Sequence, residues 1–193
     1  MTKYYIFFYN LHMYLKEFGT YNAILIAFAI TLIYLLFTVI KSGKSAVKLK
    51  KALSLLFFSF NLSLIFQITI IGRIGRHYDG WSVLNGDWNI FENQYLLSSP
   101  QMRNIALFLM LMPSVFLFIK CSKSKALSTK LMMTAGILFP FLISLFIELC
   151  QGIFSIGTFQ FSDLFYNTLG GLIGTVFYIV IQKLHKKTKS KIN

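Results

Sequence analysis

Apolar stretches of about twenty residues, separated by short lysine-rich segments, constrain this chain more than any other feature. A helix needs roughly 20 apolar residues to cross the hydrocarbon of a bilayer. Five stretches meet or approach that length: Tyr21 to Ile40, Ala52 to Ile71, Asn104 to Ile119, Leu131 to Gln151 and Asp163 to Gln182. The third is the shortest and spans only with local thinning or snorkelling flanks. At 56% hydrophobic and 17% aromatic over 193 residues, the chain is too apolar for a soluble domain of its size. The expected fold is an all-α integral membrane protein, a compact bundle of about five transmembrane helices forming one domain over residues 1–193.

The net charge of +13 is distributed by topology and does not mark a nucleic-acid site. Lys41, Lys44, Lys48, Lys50 and Lys51 fill the first short loop, and Lys120, Lys123, Lys125 and Lys130 fill the third. Lys183, Lys186, Lys187, Lys189 and Lys191 crowd the tail over residues 183–193. None of these segments contains an acid, and they alternate with the spans as cytoplasmic segments do under the positive-inside rule. The expected orientation places the N-terminus outside and the C-terminus in the cytoplasm of a multi-pass cell-membrane protein. Residues 1–20 hold an aromatic-rich run, Tyr4 to Leu15, too short to span, and read as a helix lying in the interface. An outer loop over residues 72–103 carries Trp81, Trp88, Asp79, Asp87 and Glu92, and its length suits a cap over the outer end of the bundle.

Two acids stand inside or at the edge of apolar helix, Glu148 and Asp163. A carboxylate there is costly, so it faces a protein interior or a wet cavity and marks a candidate site. Glu148 shares a helical face with Gln151, and Asp163 with Asn167. The turn between them is too short to cross a bilayer, so both pairs lie at the same side. Arg73 and Arg76 close the second span and Asn104 opens the third at that side, with Phe108 one turn on. Gly170, Gly171 and Gly174 give the last helix a surface without side chains, which lets the fourth and fifth spans approach closely. Pro113 and Pro140 lie within the third and fourth spans, where either can kink its helix. Asn61 and Gln67 in the second span read as interhelical hydrogen-bonders. The midplane is otherwise poor in polar groups, unlike a transporter, whose site sits there. Cys121 and Cys150 fall at opposite ends of the membrane and His12, His77 and His185 are scattered, so neither a disulfide nor a metal site is expected, and no cofactor motif is present.

The segment Phe146 to Gly174 also carries a family likeness. Its E-x-x-Q from Glu148, the I-F-x-I-G turn from Ile153 and the D-x-x-x-N-T-x-G-G-x-x-G run from Asp163 resemble the signature of the VanZ-like membrane proteins, associated with low-level resistance to the glycopeptide teicoplanin. The likeness is weaker at Asn104-x-x-x-Phe108, where the family continues into a Pro-Phe-Gly or similar run. Here Met110, Leu111 and Met112 follow, and the proline arrives at Pro113. Gln160 stands where family members commonly have an acid, an arginine of the family's turn is absent, and the first fifty residues carry none of the likeness. The resemblance implies a bacterial cell-envelope role.

Three readings of the polar residues follow. In the first, Arg73, Arg76, Asn104, Glu148, Gln151, Asp163 and Asn167 line an outer-leaflet pocket that recognises an amphiphile: the arginines pair with phosphate or carboxylate, and the acids orient polar headgroup atoms. Membrane lipids, lipid-linked envelope molecules or a lipoglycopeptide antibiotic are the expected partners. The second is an enzyme acting on a lipid-linked substrate, with Glu148 as general base and Asp163 as the other catalytic candidate. The third is structural, with Glu148 paired to an arginine and Asp163 capping the fifth helix.

Overall fold

The computed structural model describes residues 20–42, 49–74, 99–122 and 127–192. The expected interfacial segment, Arg76 and the tryptophan-bearing stretch of the outer loop lie outside these residues. The described chain is all-α, with five helices long and apolar enough to cross a membrane: α1 (Thr20–Ser42), α2 (Leu49–Thr69), α3 (Ser99–Ser122), α4 (Thr129–Ile153) and α5 (Phe161–Ile192). A 3-10 turn, Ile71–Arg73, follows α2. The chain divides into two compact units, Met1–Gly75 and Arg76–Asn193.

Two boundaries depart from the hydropathy reading. Helix α3 is not a short span from Asn104 to Ile119 but runs Ser99–Ser122 over 24 residues. Gln101 and Asn104 are polar, yet both are buried, so the helix continues through residues whose polarity faces protein. Pro100 sits in the first turn, where a missing N–H costs nothing. Helix α5 starts at Phe161 and continues through the basic tail to Ile192. At 1.5 Å per residue it is about 48 Å long, well beyond the roughly 30 Å of hydrocarbon.

In the first unit, α1 packs on α2 through the small residues Ala23, Ala27 and Thr31, each nearly fully buried. Lys51 on α2 lies over the Tyr34 ring on α1 at 5.1 Å, a cation–π contact at the lysine-rich end. Asn61, expected to bond across helices, instead donates its amide to the Phe57 carbonyl of its own helix at 2.8 Å.

The second unit is three helices in which α5 packs on both α3 and α4, while α3 and α4 barely meet. Glycines decide this arrangement. A Cβ at Gly170 would run into the Ile105 carbonyl, and one at Gly174 into the Leu109 carbonyl, so these two glycines bring α5 against α3. Gly171 alone serves the α4–α5 approach predicted for all three: its missing Cβ leaves room for the Pro140 ring and the Gly136 carbonyl. The helical period explains the split, since residues four apart share a face and the next residue is rotated about 100° away.

The prolines take part in the same contacts. Pro113 has no N–H for the Leu109 carbonyl and Pro140 none for that of Gly136. Each freed carbonyl faces the space a Cβ would fill on a glycine of α5, Gly174 for Leu109 and Gly171 for Gly136. Away from the α4–α5 turn, Met112, Phe116, Met132, Tyr178 and Ile179 form an apolar cluster, Phe116 stacks on Tyr178 at 5.2 Å between centroids, and the buried Ser114 and Thr175 hydroxyls bond back to their own helices.

Candidate functional site

The turn between α4 and α5 sets the geometry of the site. Helix α4 ends with Ser155 at φ 52°, a left-handed conformation, and the Ile156 N–H reaches back to the Gln151 carbonyl at 3.0 Å. This is a Schellman closure with serine at the position that favours glycine. It reverses the chain sharply enough for the backbone N–H of Gln160 to donate to Glu148 Oε2 at 2.7 Å.

That bond gives Glu148 a defined place. Gln160 immediately precedes α5 and its carbonyl accepts the Asp163 N–H at 3.2 Å, so Glu148, from another helix, satisfies the N–H of the capping residue. A first-turn acid of the same helix commonly fills that role; here the first-turn acid is Asp163, and Glu148 leaves it available for another partner. Glu148 is 1% exposed; the positive end of the α5 dipole and a charge-assisted hydrogen bond offset the cost of burying its carboxylate. Because the donor is backbone, the glutamine side chain at position 160 does not enter this contact.

Asp163 turns to α3, where the Asn104 Nδ2 donates to its Oδ1 at 2.8 Å. One turn further along α5, the Asn167 Nδ2 donates to the Ser144 Oγ of α4 at 2.8 Å. Gln151 is 1% exposed and Gln101 7%, so each of the three helices contributes buried polar groups to this end. Phe108 and Ile147, each 1% exposed, supply apolar surface beside them.

The structure thus brings together five of the residues singled out from the sequence: Asn104, Glu148, Gln151, Asp163 and Asn167. Arg73 ends the 3-10 turn of the first unit, and Arg76 lies outside the described residues. Asp163 does accept at the α5 N-terminus, but from Asn104, whereas Glu148 takes the capping N–H.

Three participants escaped the sequence reading. Ser144 precedes Glu148 by four residues and so shares its face, but a serine in an apolar span ordinarily bonds back to its own helix. Gln101 and Arg103 read as loop when the third span is taken to begin at Asn104, whereas α3 begins at Ser99. Arg103, half-buried beside Asn104 with its Nε shut off from solvent, brings a cation to this end of the unit. The signal that could have exposed them was the i, i+3 spacing of Gln101 and Asn104 ahead of Phe108. Among the described residues, no group of three His, Cys, Asp or Glu side chains has metal-binding geometry, and both cysteines are thiols.

No curated protein and no solved structure matches the chain. A family model does, described as VanZ/LLP1, over residues 24–182. The match takes in α1 and α2 as well as the polar end, although the likeness visible in the sequence begins only beyond the first fifty residues. Five membrane-length helices, a buried glutamate holding the start of the last one, and this match over most of the chain lead to one conclusion: the chain is a multi-pass membrane protein belonging to the VanZ/LLP1 family.

Proposed function

We propose that the second unit binds the polar headgroup of a membrane amphiphile at its α4–α5 turn end, and that this binding contributes to glycopeptide resistance of the teicoplanin type. The lysine pattern assigns that end to the outer leaflet, where lipids, lipid-linked envelope molecules and a lipoglycopeptide all present headgroups.

The observation that carries the reading is the burial of Glu148, Asn104, Gln151 and Asn167 from three helices at one end of a unit whose other end is apolar. Ionisable groups within a membrane unit cluster around a bound polar group or a pathway, and the opposite end offers no such cluster among the described residues. Glu148 and Asp163 act as acceptors for headgroup donors, and Arg103 supplies the positive charge that the sequence reading assigned to Arg73 or Arg76.

Glu148→Gln and Asp163→Asn, each expressed at matched membrane abundance, are expected to lower teicoplanin resistance and weaken lipid retention during purification. Unchanged susceptibility together with unchanged retention rejects the proposal. A loss of protein level alone would make the cluster structural.

A further inference from the structure

Asn167 is 4% exposed and its Oδ1 has no hydrogen-bond partner. Its Nδ2 donates to Ser144 Oγ, and Ser144, fully buried, uses its hydroxyl only as an acceptor among the described residues. Exchanging the amide oxygen and nitrogen does not remove the deficit. Ser144 would then donate to Oδ1, and the amide N–H groups would be left without acceptors. In hydrocarbon, where lipid tails offer nothing in exchange, an unmet buried acceptor is a lasting penalty.

The position of the pair matters as much as its deficit. Asn167 lies one turn, about 6 Å, inward of Asp163 along α5, and Ser144 lies one turn inward of Glu148 on α4. The two therefore form the floor of the polar end. They present one free acceptor, Asn167 Oδ1, beside one free hydroxyl hydrogen, that of Ser144. With Nδ2 on Ser144 a group satisfying both donates and accepts at once; with the amide exchanged the pair offers N–H groups alone, which a hydroxyl also meets by accepting. A hydroxyl does both; a quaternary ammonium does neither, a primary ammonium only donates, and a phosphate dianion only accepts.

We propose that Ser144 and Asn167 form an inner subsite for a hydroxyl of the ligand's headgroup, which donates to Asn167 Oδ1 and accepts from Ser144. The inference rests on the headgroup-binding reading above and narrows it to a hydroxylated class, glycosyl or glycerol.

The test uses the full chain in detergent, titrated with glucosyl-diacylglycerol and with phosphatidylcholine of the same acyl chains, with bound lipid read by native mass spectrometry. Wild type is expected to prefer the glucosyl lipid by roughly tenfold, the scale of one net hydrogen bond to a neutral partner. Asn167→Leu and Ser144→Ala each bring that preference close to unity. Soluble glucose that displaces the lipid would identify a free polyol as the ligand source; retention against glucose identifies the lipid headgroup.

Equal binding of the two lipids by wild type overturns the inference whether or not the variants fold. So does a preference that survives both substitutions, which would leave the pair holding a buried water only. If both lipids bind alike and Glu148→Gln weakens both, the hydroxyl subsite falls and the headgroup reading stands. If wild type binds neither lipid, both fall.

Discussion

Most of the polar side chains described in the first unit bond to their own helix, with Ser59 also reaching the Ala27 carbonyl of α1 at 3.5 Å, whereas polar groups at the turn end of the second unit reach across to another. Thr31, Thr38, Ser54, Asn61 and Thr69 each donate to a carbonyl three or four residues back. Asn104 and Asn167 instead donate to side chains of a different helix, and the Glu148 carboxylate accepts from the Gln160 backbone N–H ahead of α5. A groove in the first unit, lined by Ile24, Ala27, Phe28, Leu56, Phe57 and Phe60, is wholly apolar. The same residue types therefore have two different consequences. A back-bonded hydroxyl or amide is neutralised locally and leaves an apolar helix surface. A cross-helix bond requires a second polar group at a matching height, and several such pairs at one level make a polar site.

The contrast breaks most severely if the helices of the second unit cannot approach. Gly174→Leu drives a side chain into the Leu109 carbonyl, and Gly171→Leu drives one into the Pro140 ring. Each is expected to destabilise the unit by about 3 kcal/mol, the upper end of overpacking costs, seen as a lowered melting temperature in detergent. A neutral result at either position would mean that α5 does not pack as described.

A smaller effect separates cross-helix pairs from coincidental neighbours. A double-mutant cycle over Asn104→Ala and Asp163→Ala is expected to give a coupling of about 1 kcal/mol, within the range of polar pairs between membrane helices. A coupling indistinguishable from zero would place these two side chains on the same footing as the back-bonded groups of the first unit.

The smallest change belongs to those back-bonded groups. Thr31→Val and Thr38→Val, which remove only a hydroxyl returning to its own helix, should shift stability by no more than about 0.5 kcal/mol and leave resistance unaltered. A resistance loss at matched abundance would show that the first unit carries function of its own.

Much of the plan was legible before any coordinates. Apolar length alone located α1, α2 and α4 closely, and α5 apart from its run through the basic tail, and the rarity of acids in such helices singled out Glu148 and Asp163. The beginning of α3 was not legible, because Gln101, Arg103 and Asn104 read as loop when polarity is equated with exposure. Ser144 was missed because its partner on another helix is twenty-three residues away, and nothing local distinguishes it from a back-bonded serine. The glycines read as packing positions in the sequence, but only a rotation of about 100° decides which neighbour each one meets.

What the sequence determined by itself is a matter of solvent preference: five helices that bury their backbone hydrogen bonds internally, lysines that favour one side, and two acids that cannot face lipid. Tertiary structure decided the pairing. That Glu148 holds the Gln160 N–H while Asp163 takes Asn104, and that Asn167 meets Ser144, depends on the relative height and rotation of α3, α4 and α5. Those are set by the Gly170, Gly171 and Gly174 contacts and by the Ser155 turn, where sub-ångström sterics between distant segments decide the outcome.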